Sequence, residues 1–143
     1  MQPAAARALH QVHHDLRVTL DRLREIADAL DDAAAGQAIE LIEEARRVVD
    51  RDIVEHERDD ESRVYPRLLK FMGEGNVLAA MSRAHREILH LARLLRRLSE
   101  GLKAEDTDRY LIRDAQRVIE SIESLVRIHS AQEEDIYDHA SGN

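Results

Sequence analysis

The 143-residue sequence contains no cysteine, which removes disulfides, thiolate metal sites and cysteine nucleophiles from consideration. It has no tryptophan and one phenylalanine, with aromatics at 3%, so leucine, isoleucine, valine and alanine supply nearly all the apolar bulk. That is the palette of packed helices. Five glycines and two prolines are too few to punctuate a many-stranded protein. No apolar run approaches the ~20 residues needed to span a bilayer, and the opening MQPAAARALHQ lacks a signal-peptide core. A soluble, unexported, cytoplasmic protein with no membrane partner is expected. Basic patches flanked by aromatics are also missing, and a formal net charge of -8 opposes a phosphate backbone, so nucleic acid is not an expected partner.

What the sequence has is charge, 35% of its residues, interleaved with apolar positions as in helices exposed on one side. The length suits a single domain covering residues 1–143, long enough to bury a core. Punctuation falls at Gly36, at Gly73 and Gly75, at Gly101, and in the polar stretch from Ala104 to Asp108. The intervals predict helices over 4–31, 37–71, 76–100 and 107–138, with boundaries good to ~2–4 residues. Short connections favour antiparallel neighbours, so the expected fold is all-α, an up-down-up-down four-helix bundle. Asn76 and either Asp106 or Thr107 suit N-caps, and Gly101 suits the position after a helix end. Pro66 is expected to kink or stop its helix, leaving the remainder to Gly75 irregular, because proline removes a backbone donor and clashes with the preceding turn.

Each predicted helix has an apolar seam, and each seam is interrupted by histidine. The first runs Leu9, His13, Leu16, Leu20, Leu23, Ala27, Leu30, in alternating steps of four and three. The second runs Ile42, Ala45, Val49, Ile53, then turns ionisable at His56, Glu57 and Asp60 before Val64. The third carries His85 between Met81 and Ile88. The fourth carries His129 and Glu133 between Val126 and Ile136. His10 and His14 sit about 100° off their seam, and His90 points away from its own.

Counting residues from the turns places His13 level with His56, and His56 level with His85, at ~1.5 Å per residue. The third junction fits less well, with a mismatch of ~10 Å between His85 and His129. Either the fourth helix overhangs the third, or its first residues belong to the connection.

One buried histidine is ordinarily satisfied by a carbonyl or a carboxylate. Four near one level, with acids at helical spacing, form a polar layer that is costly to bury unless something pairs with it. A metal is the economical partner. Imidazole and carboxylate without thiolate suit iron, manganese or zinc, and facing helices of a bundle can hold a two-metal carboxylate site. A ferritin-like site needs Glu-x-x-His from two helices, and the one copy, Glu87 to His90, points outward.

The early histidine before LRVTL, then HERDDESRVYP, AHREIL, and HSAQEED followed by IY, together resemble the hemerythrin-like, or histidine-histidine-glutamate cation-binding, family over essentially the whole chain. The resemblance implies two non-haem iron ions, oxo- or hydroxo-bridged. It makes His13, His56, His85 and His129 nitrogen ligands, with Asp60 and Glu133 as bridging carboxylates. Some members place the last acid one residue later, at Glu134, but the seam favours Glu133. Glu61 and Glu134 are then expected outside the ligand set. The oxygen-carrying members have a further histidine where this chain has Met81, a poor ligand for ferric iron. Glu57 is the candidate to replace it, as in regulatory members with glutamate directly after this histidine; His10 or His14 is the alternative. Tyr65 and Tyr137 follow the two motifs, where covering the site and simple packing explain them equally.

Three functions remain open at this point. The first is a di-iron protein that binds or turns over oxygen, peroxide or nitric oxide as its small-molecule partner. The second is an iron- or oxygen-responsive sensor or iron-handling domain, whose metal-binding energy is folding energy. The third is a metal-free or zinc-binding structural bundle. Arg93, Arg96 and Arg97 read as a solvated face.

Overall fold

The computed structural model describes residues 3–72 and 76–140, all of whose regular structure is helical. Helix α1 spans Pro3–Ala29. A second rod is built from α2 (Ala35–Val48), a π-helical segment Val49–Val54, α3 (Glu55–Asp59), a second π-helical segment Asp60–Val64, and α4 (Tyr65–Met72). Helices α5 (Asn76–Gly101) and α6 (Arg109–Ala140) follow. No helix among the described residues is long and apolar enough to cross a membrane.

Helix α1 packs on α6, α6 on α5, α5 on α2, and α2 back on α1. Partner numbers fall along one rod as they rise along the next. Thr19 donates to Asp52 at 2.8 Å and Arg22 to Glu44 at 2.5 Å. Arg96 meets Asp50 at 2.9 Å and Ser99 meets Glu43 at 2.5 Å. Arg127 reaches Asp21 at 2.7 Å and Gln116 the Ala27 carbonyl at 2.7 Å.

The predicted seams are the buried faces. Leu20, Leu23, Ile42, Ile53, Leu95, Ile119 and Ile122 are among the most enclosed side chains, each contributing about 1.5–3 kcal/mol through removal of apolar surface from water. They belong to one large apolar cluster. A second, small cluster of Tyr65, Leu68, Leu78, Met81 and Tyr137 lies towards the other end of the rods.

Two expectations need correction, and one open alternative is decided. The second rod does not become irregular at Pro66; it stays helical to Met72. The widened turn before the proline explains this. The Tyr65 amide bonds to the Asp60 carbonyl, five residues back, and such a turn relieves the clash a proline ring makes with an α-helical carbonyl four residues earlier. The same extra residue re-phases the inner face, so that Tyr65 is buried where regular periodicity put Val64. The cap of α6 is Asp108, whose Oδ1 accepts the Leu111 amide at 2.9 Å, and neither Asp106 nor Thr107. The His85 and His129 rings lie 4.5 Å apart, so the height mismatch is taken up elsewhere. Residues 107 and 108 belong to the connection, and Arg109 at the start of α6 donates to the Asp31 carbonyl at 2.7 Å.

Candidate metal centre

Between the two apolar clusters lies a layer of buried ionisable groups. His13, Glu57, Asp60, His85, His129 and Glu133 each keep 1% exposure or less, and the His56 side chain keeps 9%. Helix α1 brings His13, α3 brings His56 and Glu57, the second π-segment brings Asp60, α5 brings His85, and α6 brings His129 and Glu133. All seven predicted positions therefore face one another. His14 and His90 are exposed, and His10 turns to Asp138 at 3.0 Å instead of entering the layer.

The donor atoms fall into two groups, each spanning no more than 4.8 Å: Glu57, Asp60, His85, His129 and Glu133 in one, His13, His56 and Glu133 in the other. Glu133 belongs to both. His85 Nε2 lies 2.7 Å from Glu57 Oε2 and 3.9 Å from Asp60 Oδ2. His129 Nε2 lies 3.1 Å from Glu133 Oε1 and 3.5 Å from Glu57 Oε2. His56 Nε2 is 3.2 Å from Asp60 Oδ2, and His13 Nε2 is 3.8 Å from Glu133 Oε1.

Closeness here is not hydrogen bonding. Both Glu57 oxygens, Asp60 Oδ2, Glu133 Oε1, His13 Nε2 and His56 Nε2 are buried with no correctly aligned hydrogen-bond partner in the protein. Each such atom costs about 1–3 kcal/mol, and a cation at the point where they converge supplies the missing partner. The outer sides of two rings are prepared for it. His85 Nδ1 donates to Glu61 at 2.8 Å and His13 Nδ1 to Glu134 at 3.3 Å, which in the neutral imidazole leaves the Nε2 lone pair turned inward. Glu61 and Glu134 thus lie outside the converging set, orienting it. The Tyr65 and Tyr137 hydroxyls donate to Glu133 Oε2 at 3.1 and 2.9 Å.

The field of the layer calls for positive charge. Burial opposes protonation of His56, His85 and His129, and the carboxylates outweigh it: Asp60 carries His56 to about 9, Glu57 raises His85, and Glu133 with Glu57 carries His129 to about 10. Burial acts against the charge on Glu57 and Glu133 too, yet His129 and His85 hold Glu57 below its usual range, and His129 with Asp60 holds Glu133 below its own. Asp60 goes the other way, lifted by burial and, against the pull of His56, by the neighbouring Glu133 charge. His13 is lowered, chiefly by burial. Protons or a cation can supply the charge, and a metal must displace the protons to bind.

Both tyrosines reach into the layer. Tyr137 sits four residues after Glu133, on the same face, which was a usable signal. Tyr65 was hidden, because only the widened turn before Pro66 carries it inward. A surface groove of ≈ 390 Å³ between α1 and the second rod, walled by Leu16, Thr19 and Asp52, includes His56.

Fold and layer together define a class: helical proteins whose core presents a thiolate-free imidazole and carboxylate site fit for a cation. A family model described as the Hemerythrin HHE cation binding domain matches residues 4–140. The chain belongs to this family. No curated protein and no solved structure gives a match.

Proposed function

We propose that this is a non-haem di-iron protein that binds or reacts with a small oxidant, of the class of oxygen, peroxide or nitric oxide. The observation that carries the reading is the set of buried, converging donor atoms with no hydrogen-bond partner of their own. Their division into two groups sharing Glu133 supports two ions rather than one. One ion would be held by His85, His129 and Glu57, the other by His13 and His56, with Asp60 and Glu133 between them. The opposing order of partners along neighbouring rods supports the up-down-up-down arrangement as part of the same reading.

Iron, when bound, supplies one-electron redox chemistry and a position for a small exogenous ligand. The residues of the chain do the rest. The two apolar clusters keep bulk water from the layer, Glu61 and Glu134 hold the imidazoles in orientation, and the Tyr137 hydroxyl holds a proton at Glu133 Oε2. The groove beside His56 is the side from which a small ligand approaches.

A second reading, an iron-responsive domain without turnover, is favoured by the same unpartnered atoms, since their cost makes stability depend on the ion. Metal analysis of the purified protein, with absorption spectra before and after peroxide, tests the proposal. About two irons per chain and near-ultraviolet bands that respond to peroxide are expected, with iron content falling sharply in His56→Ala. Zinc alone, less than one metal per chain, or unchanged iron in His56→Ala would sink it. Peroxide consumption separates the two readings.

A further inference from the structure

Tyr65 is the residue of the layer that its role so far does not exhaust. Its hydroxyl lies 3.0 Å from His85 Nε2, 3.4 Å from His129 Nε2 and 3.1 Å from Glu133 Oε2. One hydroxyl proton can serve one of these three contacts. The ring is 4% exposed and stacked on His85 with centroids 4.9 Å apart and planes 17° from parallel, so the hydroxyl has little freedom to turn elsewhere.

The spacing has a specific meaning. Donor atoms ~2.1 Å from one ion, in octahedral arrangement, are ~3 Å from their neighbours. The pairs His85 Nε2 to Glu57 Oε2, His129 Nε2 to Glu133 Oε1, and His129 Nε2 to Glu57 Oε2 stand at 2.7, 3.1 and 3.5 Å. The contacts of the Tyr65 oxygen, at 3.0, 3.4 and 3.1 Å, belong to the same series. The hydroxyl sits as one more donor of that group.

We infer that Tyr65 is an oxygen ligand of the ion held by His85 and His129, completing that half of the site from within the protein. The inference rests on the di-iron reading. On ligation the phenolic O–H bond breaks, the oxygen pair forms the bond to iron, the proton is released to solvent, and nothing is oxidised or reduced. Its chemical consequence is an asymmetric pair: the half closed by Tyr65 has its place filled by the chain, which leaves exogenous ligands the half of His13 and His56, the latter lining the groove.

Phenolate bound to ferric iron has a visible charge-transfer band, and excitation into it enhances tyrosinate ring vibrations in Raman scattering. The experiment loads the full chain with iron in air and measures iron content, absorption and Raman spectra for the unsubstituted protein, Tyr65→Phe and Tyr137→Phe. The band is expected in the unsubstituted protein, lost in Tyr65→Phe at retained iron content, and kept in Tyr137→Phe. A loaded protein without the band, or a band that survives Tyr65→Phe or disappears with Tyr137→Phe, overturns the assignment while leaving the di-iron reading intact. Failure of the unsubstituted protein to take up iron overturns both. If Tyr65→Phe does not load, a band retained in Tyr137→Phe still assigns Tyr65, because the third tyrosine, Tyr110, is 80% exposed.

Discussion

The two apolar clusters on either side of the ionisable layer are unequal. The large one is leucine, isoleucine, valine and alanine drawn from α1, the connection after it, the second rod, α5 and α6, and nothing within it requires a partner from outside the chain. The small one has five buried members, two of them tyrosines whose hydroxyls reach into the layer at Glu133. The first is held by burial of its own surface. The second is held to the bundle through a layer whose polar atoms are incompletely satisfied, so its order is tied to whatever pairs with that layer. Stability and ion binding are thereby assigned to different ends of the same helices.

Loss of apolar volume from the large cluster should have the largest effect. Leu23, with 0% exposure, cut to alanine should cost about 4 kcal/mol, or roughly 10 °C in Tm, while iron per chain stays constant; thermal denaturation with metal analysis checks both. Next in size, chelating the loaded protein should remove about 3 kcal/mol, the stabilisation expected of a ligand at ~100-fold over its Kd. Hydrogen exchange should show the loss concentrated in residues around His13, Tyr65, Met81 and Tyr137, and uniform loss over all helices would erase the distinction between the ends.

Two smaller effects belong to the side remote from the layer. Removing the Asp108 cap with Asp108→Ala should cost about 1 kcal/mol and leave iron content alone. Glu43 is held down at about 2 by hydrogen bonds from Arg46 and Ser99. A depressed carboxylate contributes stability above its unfolded value, 4.5, and loses it as pH falls from there to about 2. With 37% of the side chain exposed, solvent screening keeps this below about 1 kcal/mol. A shallow acid-side decline in Tm between those pH values, abolished by Glu43→Gln, is the expected result.

Much of this was legible in residue spacing. Steps of three and four identified the buried faces, because an α-helix returns to the same side every 3.6 residues. The same steps put His13, His56, Asp60, His85, His129 and Glu133 on the inner faces. Glu57 followed from its place beside His56 and from the family resemblance. What spacing could not reveal was a change of the period itself. The widened turn at Asp60–Val64 moved the inner position from Val64 to Tyr65, and Pro66, read as a helix breaker, was the mark of that turn.

From the sequence came an all-helical chain of four amphipathic stretches, each with an ionisable break in its apolar seam, since periodicity and the scarcity of glycine, proline and aromatics are local properties. Tertiary structure alone decided how those breaks meet. Whether His85 comes level with His129, whether Glu61 and Glu134 touch the outer nitrogens of His85 and His13, and whether a tyrosine hydroxyl lies among the donor atoms depend on helix phase and overhang. A one-residue change in winding moves a side chain by about 100°, and no count along the chain contains that.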